Sequence, residues 1–168
     1  MTNDDILLVE PDASHERAYM SAMDSWEALE TVQPELLRRD GADYRQVLKW
    51  CGLYKTDPDM LSTGVTCALY FLVDKSGELL GGMVINHDDT RRGHLHAGIA
   101  PWHRNKGLGT GMLRLALEKC REMGMKYVHI VPHKDNIAAI RTIIKNGGVL
   151  ADEFCDNGRW SQRYRIAL

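Results

Sequence analysis

The sequence is poor in residues and patterns that mark specialised protein classes. Its 168 residues include only two Phe, five Pro and four Cys. No two of the cysteines form a Cys-x-x-Cys pair, and scattered cysteines of this kind predict reduced thiols in a reducing compartment. The cysteines are Cys51, Cys67, Cys120 and Cys155.

The sequence also lacks a charge excess, a long apolar run and a signal-like start. Its 21 Lys and Arg nearly balance 23 Asp and Glu, and this argues against a general nucleic-acid binder, which needs clustered cations. The longest apolar stretch, 65–73, is far below the roughly 20 residues of a bilayer span. The acidic start at residues 1–5 is unlike a signal peptide. We therefore predict a cytoplasmic protein without nucleic-acid or membrane partners.

Length and periodicity predict one mixed α/β domain over residues 1–168. The predicted order is a strand, two helices, three strands, a helix, a strand, a helix and two strands. The predicted helices are 12–30, 43–53, 107–123 and 136–146, with a loop over 55–64. The predicted strands are 6–9, 66–73, 79–85, 94–99, 127–131, 149–154 and 160–166.

The most informative segment is a glycine cluster between a strand and a long helix. Gly107, Gly109 and Gly111 follow a loop that carries Arg104 and Lys106. The first N–H groups of a helix lack intrahelical partners and carry partial positive charge, and glycine lets an anion approach them. This pattern predicts a phosphate or pyrophosphate site. The alternative is a glycine-rich turn that serves helix entry alone. Neither the P-loop nor the dinucleotide-binding spacing occurs.

Two motifs resemble those of the GNAT family of N-acetyltransferases. Residues 104–109, Arg-Asn-Lys-Gly-Leu-Gly, match its Arg/Gln-x-x-Gly-x-Gly/Ala motif, and Ile99-Ala100-Pro101 matches the preceding strand end. Asn136-Ile137-Ala138-Ala139 resembles its Asn-x-x-Ala signature on the next helix. The likeness covers nearly the whole chain and is greatest to a bacterial subgroup of predicted acetyltransferases. It implies a mostly antiparallel sheet, flanked by helices and splayed at the strand pair that holds the coenzyme A arm.

The resemblance implies acetyl transfer from acetyl-CoA to a primary amine of a small molecule or peptide, by direct attack in a ternary complex. Backbone N–H groups of residues 106–110 would hold the pyrophosphate, while the edge of the strand at Ile99 would pair with the pantetheine arm. Asn136 would bond the arm from the other side. The implied acetyl-CoA residues are Ile99, Ala100, Arg104, Asn105, Lys106, Gly107, Leu108, Gly109, Thr110 and Asn136.

The catalytic groups are less evident. Family members often use a tyrosine as the acid for the leaving thiolate, but Ile143 stands at that position. His94 and His96 are the candidate bases, because histidine titrates near neutral pH and residues two apart share one face of a strand. The alternative is that one or both are structural or solvated. The remaining histidines show no metal-ligand spacing, and we predict no metal site.

The sequence motifs identify neither the amine acceptor nor the oligomeric state. The first two predicted helices could form a wall of the acceptor site, with the residues Asp24, Trp26, Glu27, Glu30 and Tyr44. The acidic residues there would favour a cationic amine, and Trp26 could stack on it. A solvated helix face with Trp26 in the core is the alternative. A non-catalytic acetyl-CoA or CoA sensor, or the use of another acyl-CoA, would also fit the motifs. The final strands could pair between two copies in a homodimer.

Overall fold

The computed structural model describes residues 5–168, which form two antiparallel sheets. Four strands make the first sheet in the order β1-β2-β3-β4: β1 (Ile6–Val9), β2 (Cys67–Asp74), β3 (Leu79–Asn86) and β4 (Leu95–Ile99). Three strands make the second in the order β5-β7-β6: β5 (Tyr127–Ile130), β6 (Val149–Asp156) and β7 (Arg159–Ala167). The predicted α/β class, element order and mostly antiparallel pairing are confirmed.

Four α-helices accompany these strands within residues 5–168, and two of them begin at a side-chain cap. They are α1 (Glu16–Glu27), α2 (Tyr44–Thr56), α3 (Leu108–Glu122) and α4 (Ile137–Lys145). The Asp43 carboxylate accepts the Gln46 N–H at 2.8 Å, and Asn136 Oδ1 accepts the Ala139 N–H at 3.1 Å, so each residue caps its helix. None of these helices combines the length and apolar content that a membrane span needs.

Two predicted helix bounds were wrong. The first helix is shorter than 12–30, because 13–15 form a 3-10 turn capped by Asp12 and the chain turns back after Glu27. Leu29, at the end of the predicted range, is 67% exposed. The second helix runs on to Thr56, and a further 3-10 turn, Pro58–Met60, lies inside the segment predicted as loop. Helix ends depend on tertiary contacts that periodicity does not contain.

Two apolar clusters cover opposite faces of the first sheet. One packs Ile85, Leu95 and Ile99 of the sheet against α3, and it continues under the second sheet through Val128 and Ile166. The other packs Val84 against α1 and α2. Because β4 pairs His96 with Val84 and Leu95 with Ile85, His96 lies on the α1/α2 face. The register thus places Leu95 on the α3 face of β4 and His96 on the opposite face.

Among residues 5–168, backbone pairing joins the two sheets only at the start of β4. The His94 N–H donates to His129 O at 2.7 Å, and Gly93 bridges to Ile130. Beyond that point no ladder pair joins β4 to β5 among residues 5–168, so the strands separate. The splayed strand pair expected from the family resemblance is confirmed, and it leaves one edge of β4 unpaired.

Gly98 of β4 lets the segment after α1 dock on the α1/α2 face. A Cβ at this position would lie 1.9 Å from Gln33 O and 2.6 Å from Gln33 C, both of them backbone atoms. Pro34 and Val32 beside the contact are buried, so this loop is held against β4 two residues beyond His96. Only glycine permits such close backbone approach.

We expect Gly98→Ala to lower the free energy of unfolding by about 1–3 kcal/mol, because the loop backbone must move away from the new methyl group. Urea denaturation measures the change. The matched control is Gly52→Ala, in the middle of α2 with open space around its Cβ position, which should gain roughly 0.5–1 kcal/mol. An unchanged urea midpoint for Gly98→Ala would show that the loop does not rest on β4.

Candidate active site

The loop between β4 and α3 contains two left-handed residues just before the helix begins. Asn105 and Gly107 both have left-handed backbone conformations, with φ of 61° and 78°. Left-handed residues in a turn bring successive N–H groups to one side, in the concave arrangement that binds anions. Gly107 also occupies the N-cap of α3. The glycine-rich pattern predicted from the sequence therefore forms a left-handed turn at the start of α3.

Five successive backbone N–H groups in this loop, those of residues 105–109, have no acceptor among residues 5–168. Backbone hydrogen bonding resumes at Thr110 and Gly111, whose N–H groups donate to Gly107 O at 3.1 and 3.4 Å. Free amides at a helix N-terminus carry partial positive charge and bind phosphate oxygens. The arrangement fits a pyrophosphate, and it includes most of the segment predicted for this role.

Arg104, predicted as a countercharge, is engaged elsewhere in this structure. Its guanidinium donates to both carboxylate oxygens of Glu30 and, through Nε, to Ile99 O at 3.0 Å. These bonds hold the pKa of the Glu30 carboxyl below its usual range. Arg104 therefore ties the loop to the end of β4 and to the segment after α1. Lys106, also predicted, donates to Trp102 O at 3.1 Å.

The predicted strand-end residues lie beside the gap between the two sheets. Ala100 is buried and its N–H donates to Leu80 O at 2.9 Å, which continues the pairing with β3. Ile99 packs partly into the cluster under α3. In the part of the chain that the structure describes, the opposite edge of β4 has no partner strand past its first residues, so an amide-bearing arm could pair there as an added strand.

Helix α4 lies beside the loop that precedes α3. Asn146 Nδ2 donates to Thr110 O at 3.3 Å and to Thr142 O at 2.9 Å, which joins α4 to the first turn of α3. Asn136 is exposed at the other end of α4. Its Oδ1 caps the helix, and within residues 5–168 its Nδ2 has no acceptor, so this amide can donate to a ligand.

Ile143 lies in the core, only 2% exposed, within the cluster packed against α3. The position that often carries tyrosine in related enzymes is therefore filled by an apolar side chain here. It can neither donate nor accept a proton. Thr142, beside it, faces Gly109: its Oγ1 would lie 3.6 Å from a Cβ added there.

The two candidate bases have different surroundings. His94 is buried, and its Nδ1 accepts the His129 N–H at 3.0 Å, which places the proton of the neutral ring on Nε2. Burial lowers the pKa of His94. His96 is only partly buried and lies on the α1/α2 face. Burial also lowers the pKa of His96, and the positive charge of Arg92 adds to the effect.

A hydrogen-bonded cluster at the junction of the sheets was not predicted. The Asp89 carboxylate lies 2.7 Å from His129 Nδ1, 3.6 Å from His94 Nδ1 and 3.6 Å from an Arg163 nitrogen. One ligand atom from each of Asp89, His94 and His129 would fit around a metal ion. However, the Arg163 cation and the N–H bonded to His94 already supply positive partners. Asp89 and His129 are 40 residues apart, so no local spacing could reveal the cluster.

The acidic residues considered for an acceptor wall are paired with arginines. Asp24 lies 2.7 Å and Glu27 lies 3.1 Å from nitrogens of Arg39, and Glu30 binds Arg104. Trp26 is fully buried, so the core alternative is the correct one for this side chain. A negatively charged surface for a cationic amine is not formed by these residues.

Comparisons with known proteins agree with this geometry. The Acetyltransferase (GNAT) family model matches residues 23–147. A GnaT-family acetyltransferase from Bordetella pertussis has a similar structure, with a TM-score of 0.62, 21% identity, and 99% of this chain and 98% of that chain covered. The microcin C7 self-immunity acetyltransferase MccE, solved with acetyl-CoA and AMP, gives a TM-score of 0.69 at 14% identity, with 98% and 93% covered.

A third similar structure is the spermidine/spermine N-acetyltransferase SpeG from Vibrio cholerae, with a TM-score of 0.66, 15% identity and 98% and 94% coverage. No curated protein matches the sequence. At these identities the structural likeness concerns the fold, while the family match spans most of the chain and includes residues 105–109 and α4. The chain belongs to the GNAT family of acetyltransferases.

Proposed function

We propose that this protein transfers an acetyl group from acetyl-CoA to a primary amine by direct attack in a ternary complex. The observation that carries the proposal is the row of five free N–H groups, residues 105–109, at the start of α3. Such a row supplies directed donors and positive potential for a pyrophosphate, without an overall basic charge. MccE, of similar fold, was solved with acetyl-CoA, which supports the choice of donor.

We further propose that the pantetheine arm lies along the unpaired edge of β4. The main chain of Ile99 would bond its amides on one side, and Asn136 Nδ2 would donate to it from the other. Ala100, whose N–H donates to Leu80 O and whose carbonyl accepts the His103 N–H, would border the arm without bonding it. Acetyl-CoA supplies the activated acyl group, and the protein supplies orientation. Leu108, buried at the start of α3, anchors the loop in the core while its N–H stays free.

We assign the general base to His96 rather than His94. Direct attack requires a neutral amine, although free alkylamines are mostly protonated near pH 7. His94 Nδ1 already accepts the His129 N–H, so that nitrogen cannot take the proton without breaking this hydrogen bond at the junction of the sheets. His96 is partly accessible on the α1/α2 face, and its lowered pKa keeps it neutral near pH 7. A neutral imidazole can accept the proton of the amine.

No protein acid is assigned to the leaving thiolate. Ile143 cannot supply a proton, and a thiol has an ordinary pKa of about 8.5, so a thiolate can leave near neutral pH without full protonation. The same residue favours a second candidate function, in which the domain binds acetyl-CoA or CoA as a sensor without turnover. Both functions would use the loop at 105–109 to bind the pyrophosphate. Only the transferase would also release free CoA in the presence of an amine.

Two measurements test the proposal. Acetyl-CoA binding is measured by calorimetry, and thiol release from acetyl-CoA is measured against polyamines, aminoglycosides, amino acids and peptide N-termini. We expect binding and amine-dependent thiol release with at least one class. Binding without release for every class would favour the sensor function. Absence of binding would refute both functions, because both depend on the loop at 105–109.

A further inference from the structure

The two sheets are joined in part through the side chain of His94. The His94 N–H donates to His129 O at 2.7 Å, but the His129 N–H returns to His94 Nδ1, at 3.0 Å. The His94 carbonyl instead accepts the Asn86 N–H of β3, at 2.7 Å. The imidazole therefore reaches from β4 to the backbone of β5, at the closed end of the gap between these strands.

Neighbouring side chains hold this ring in place. The Tyr127 ring meets it edge-on, with 6.1 Å between the ring centroids and 87° between the ring planes. The centroid of the His129 ring lies 6.0 Å away, and the Asp89 carboxylate lies 3.6 Å from His94 Nδ1. A side chain that is both packed and hydrogen-bonded keeps one orientation, so the second ring nitrogen of His94 has a fixed direction.

The surroundings of His94 keep its ring neutral near pH 7. Burial is the largest influence and lowers the pKa of His94 from the ordinary value of 6.5. The Asp89 and Asp88 carboxylates act in the opposite direction, whereas His129 and Arg163 act in the same direction as burial. Because Nδ1 accepts an N–H, the neutral ring carries its own proton on Nε2.

The N–H at His94 Nε2 is available to a ligand. In the part of the chain that the structure describes, no atom accepts it. The enclosed side-chain nitrogens and oxygens without a partner in that part are Arg39 Nε and His103 Nδ1 alone, so His94 Nε2 is open to solvent or to a ligand. The two ring nitrogens point in diverging directions, and this N–H is therefore directed away from the backbone amide that Nδ1 binds.

The dimensions of the gap bring the reacting end of acetyl-CoA to this ring. The loop at 105–109 begins beside the end of β4, where Arg104 Nε donates to Ile99 O at 3.0 Å. The unpaired edge from Ile99 back to Leu95 spans roughly 13 Å of extended strand. The pantetheine arm has about twelve bonds between phosphate oxygen and sulfur, as many as four residues of backbone, which is also roughly 13 Å. An arm that follows this edge from the loop therefore ends beside His94.

We propose that the His94 Nε2–H is the hydrogen-bond donor that stabilises the oxyanion of the tetrahedral intermediate. The amine nitrogen attacks the thioester carbon, a C–N bond forms, and the carbonyl electron pair moves to oxygen, where the Nε2–H binds it without transferring its proton. The carbonyl then re-forms, the C–S bond breaks with its electron pair on sulfur, and His96 takes the amine proton. A neutral donor that is fixed before the reaction stabilises the developing charge without reorganisation. This inference rests on the proposed transferase function and adds a catalytic residue to it.

Two amide substitutions separate the roles of the two ring nitrogens. His94→Asn places an amide oxygen near the position of Nδ1, where it can accept the His129 N–H, but it leaves no donor at the position of Nε2. His94→Gln does the reverse, because its amide nitrogen reaches the position of Nε2 and nothing remains at the position of Nδ1 to accept the His129 N–H. The first variant therefore keeps the junction of the sheets, and the second keeps the donor.

We expect His94→Asn to lower kcat by about 10²–10³-fold, the usual effect of removing one oxyanion donor. This variant should keep the Kd for acetyl-CoA, the acidic limb of the pH profile and most of the urea midpoint. His94→Gln should retain more of kcat than His94→Asn, although its urea midpoint is lower. A purely structural role of His94 predicts the opposite order, in which kcat follows stability, and that result would overturn the inference while the transferase function stands.

The infrared band of the thioester carbonyl in bound acetyl-CoA, isotope-labelled at the carbonyl carbon, gives a test that needs no turnover. A hydrogen bond to the carbonyl oxygen lowers its stretching frequency, so the band should lie lower in the wild type and in His94→Gln than in His94→Asn. His96→Gln is the matched control and should keep the wild-type band, because it leaves the donor in place.

This band decides the inference if no amine is acetylated. The expected order of frequencies would then support the His94 donor, although the transferase function would fail. The same frequency in all four proteins would overturn the donor, and acetyl-CoA that does not bind would overturn both proposals.

Discussion

Gly109→Trp is expected to abolish acetyl-CoA binding, with a loss of affinity greater than about a hundredfold. The indole would occupy the space in front of the free amides of residues 105–109 and beside Thr142 of α4. A hydrogen bond to a charged group contributes about 1.5–3 kcal/mol, so the loss of two or more bonds to the pyrophosphate gives an effect of this size. Calorimetric titration with acetyl-CoA measures it.

Gly109→Ala is the matched control for this substitution. A Cβ at Gly109 would lie 3.6 Å from Thr142 Oγ1, an ordinary van der Waals distance, and α3 favours alanine over glycine by roughly 1 kcal/mol. The alanine variant should therefore fold at least as stably and should retain most of its affinity. Unchanged binding by a folded Gly109→Trp protein would place the pyrophosphate elsewhere and would remove the main support for the proposed function.

His96→Gln is expected to lower kcat by about 10²–10⁴-fold, the usual contribution of a positioned general base. The base acts in its neutral form, so activity should fall as the pH drops through the pKa of His96. Because burial and Arg92 lower that pKa, the acidic limb of the wild-type kcat/KM profile should lie below the ordinary histidine value of 6.5. His96→Gln should lack this limb.

His94→Gln separates catalysis from structure. His94 Nδ1 accepts the His129 N–H where the two sheets meet, so its replacement should lower the urea midpoint of unfolding while the acidic limb persists. A profile that loses its limb in His94→Gln and keeps it in His96→Gln would reverse the two roles and contradict the assignment of the base.

Much of the fold could be predicted from the sequence, because its signals are local. Gly124 ends α3 with φ of 79°, and Asn157 with Gly158 forms the two-residue turn between β6 and β7, both with positive φ. Asn136, a residue type that favours this position, caps α4. In each case a residue's own conformational range or side-chain oxygen determines the structure around it.

The side chains at the site were less predictable. The sequence predicts Arg104 as a countercharge for phosphate. In the structure its guanidinium donates to Glu30, which lies 74 residues away in the chain. Gly98 gives no turn signal, and its need for glycine is evident only when the Gln33 backbone is seen against it. Both depend on segments far apart in the chain, and hydrophobic periodicity contains no information about which charges or backbones will meet.

By itself, the sequence determined the order of elements, the caps and turns, and the glycine-rich start of α3. These follow from backbone freedom and from the period of apolar residues, which act over a few positions. Only the tertiary structure decided which histidine stays accessible, which carboxylates are neutralised and which nitrogen of His94 carries the proton. Those outcomes depend on sheet register and on contacts between distant strands, because burial and ion pairing are properties of the assembled fold.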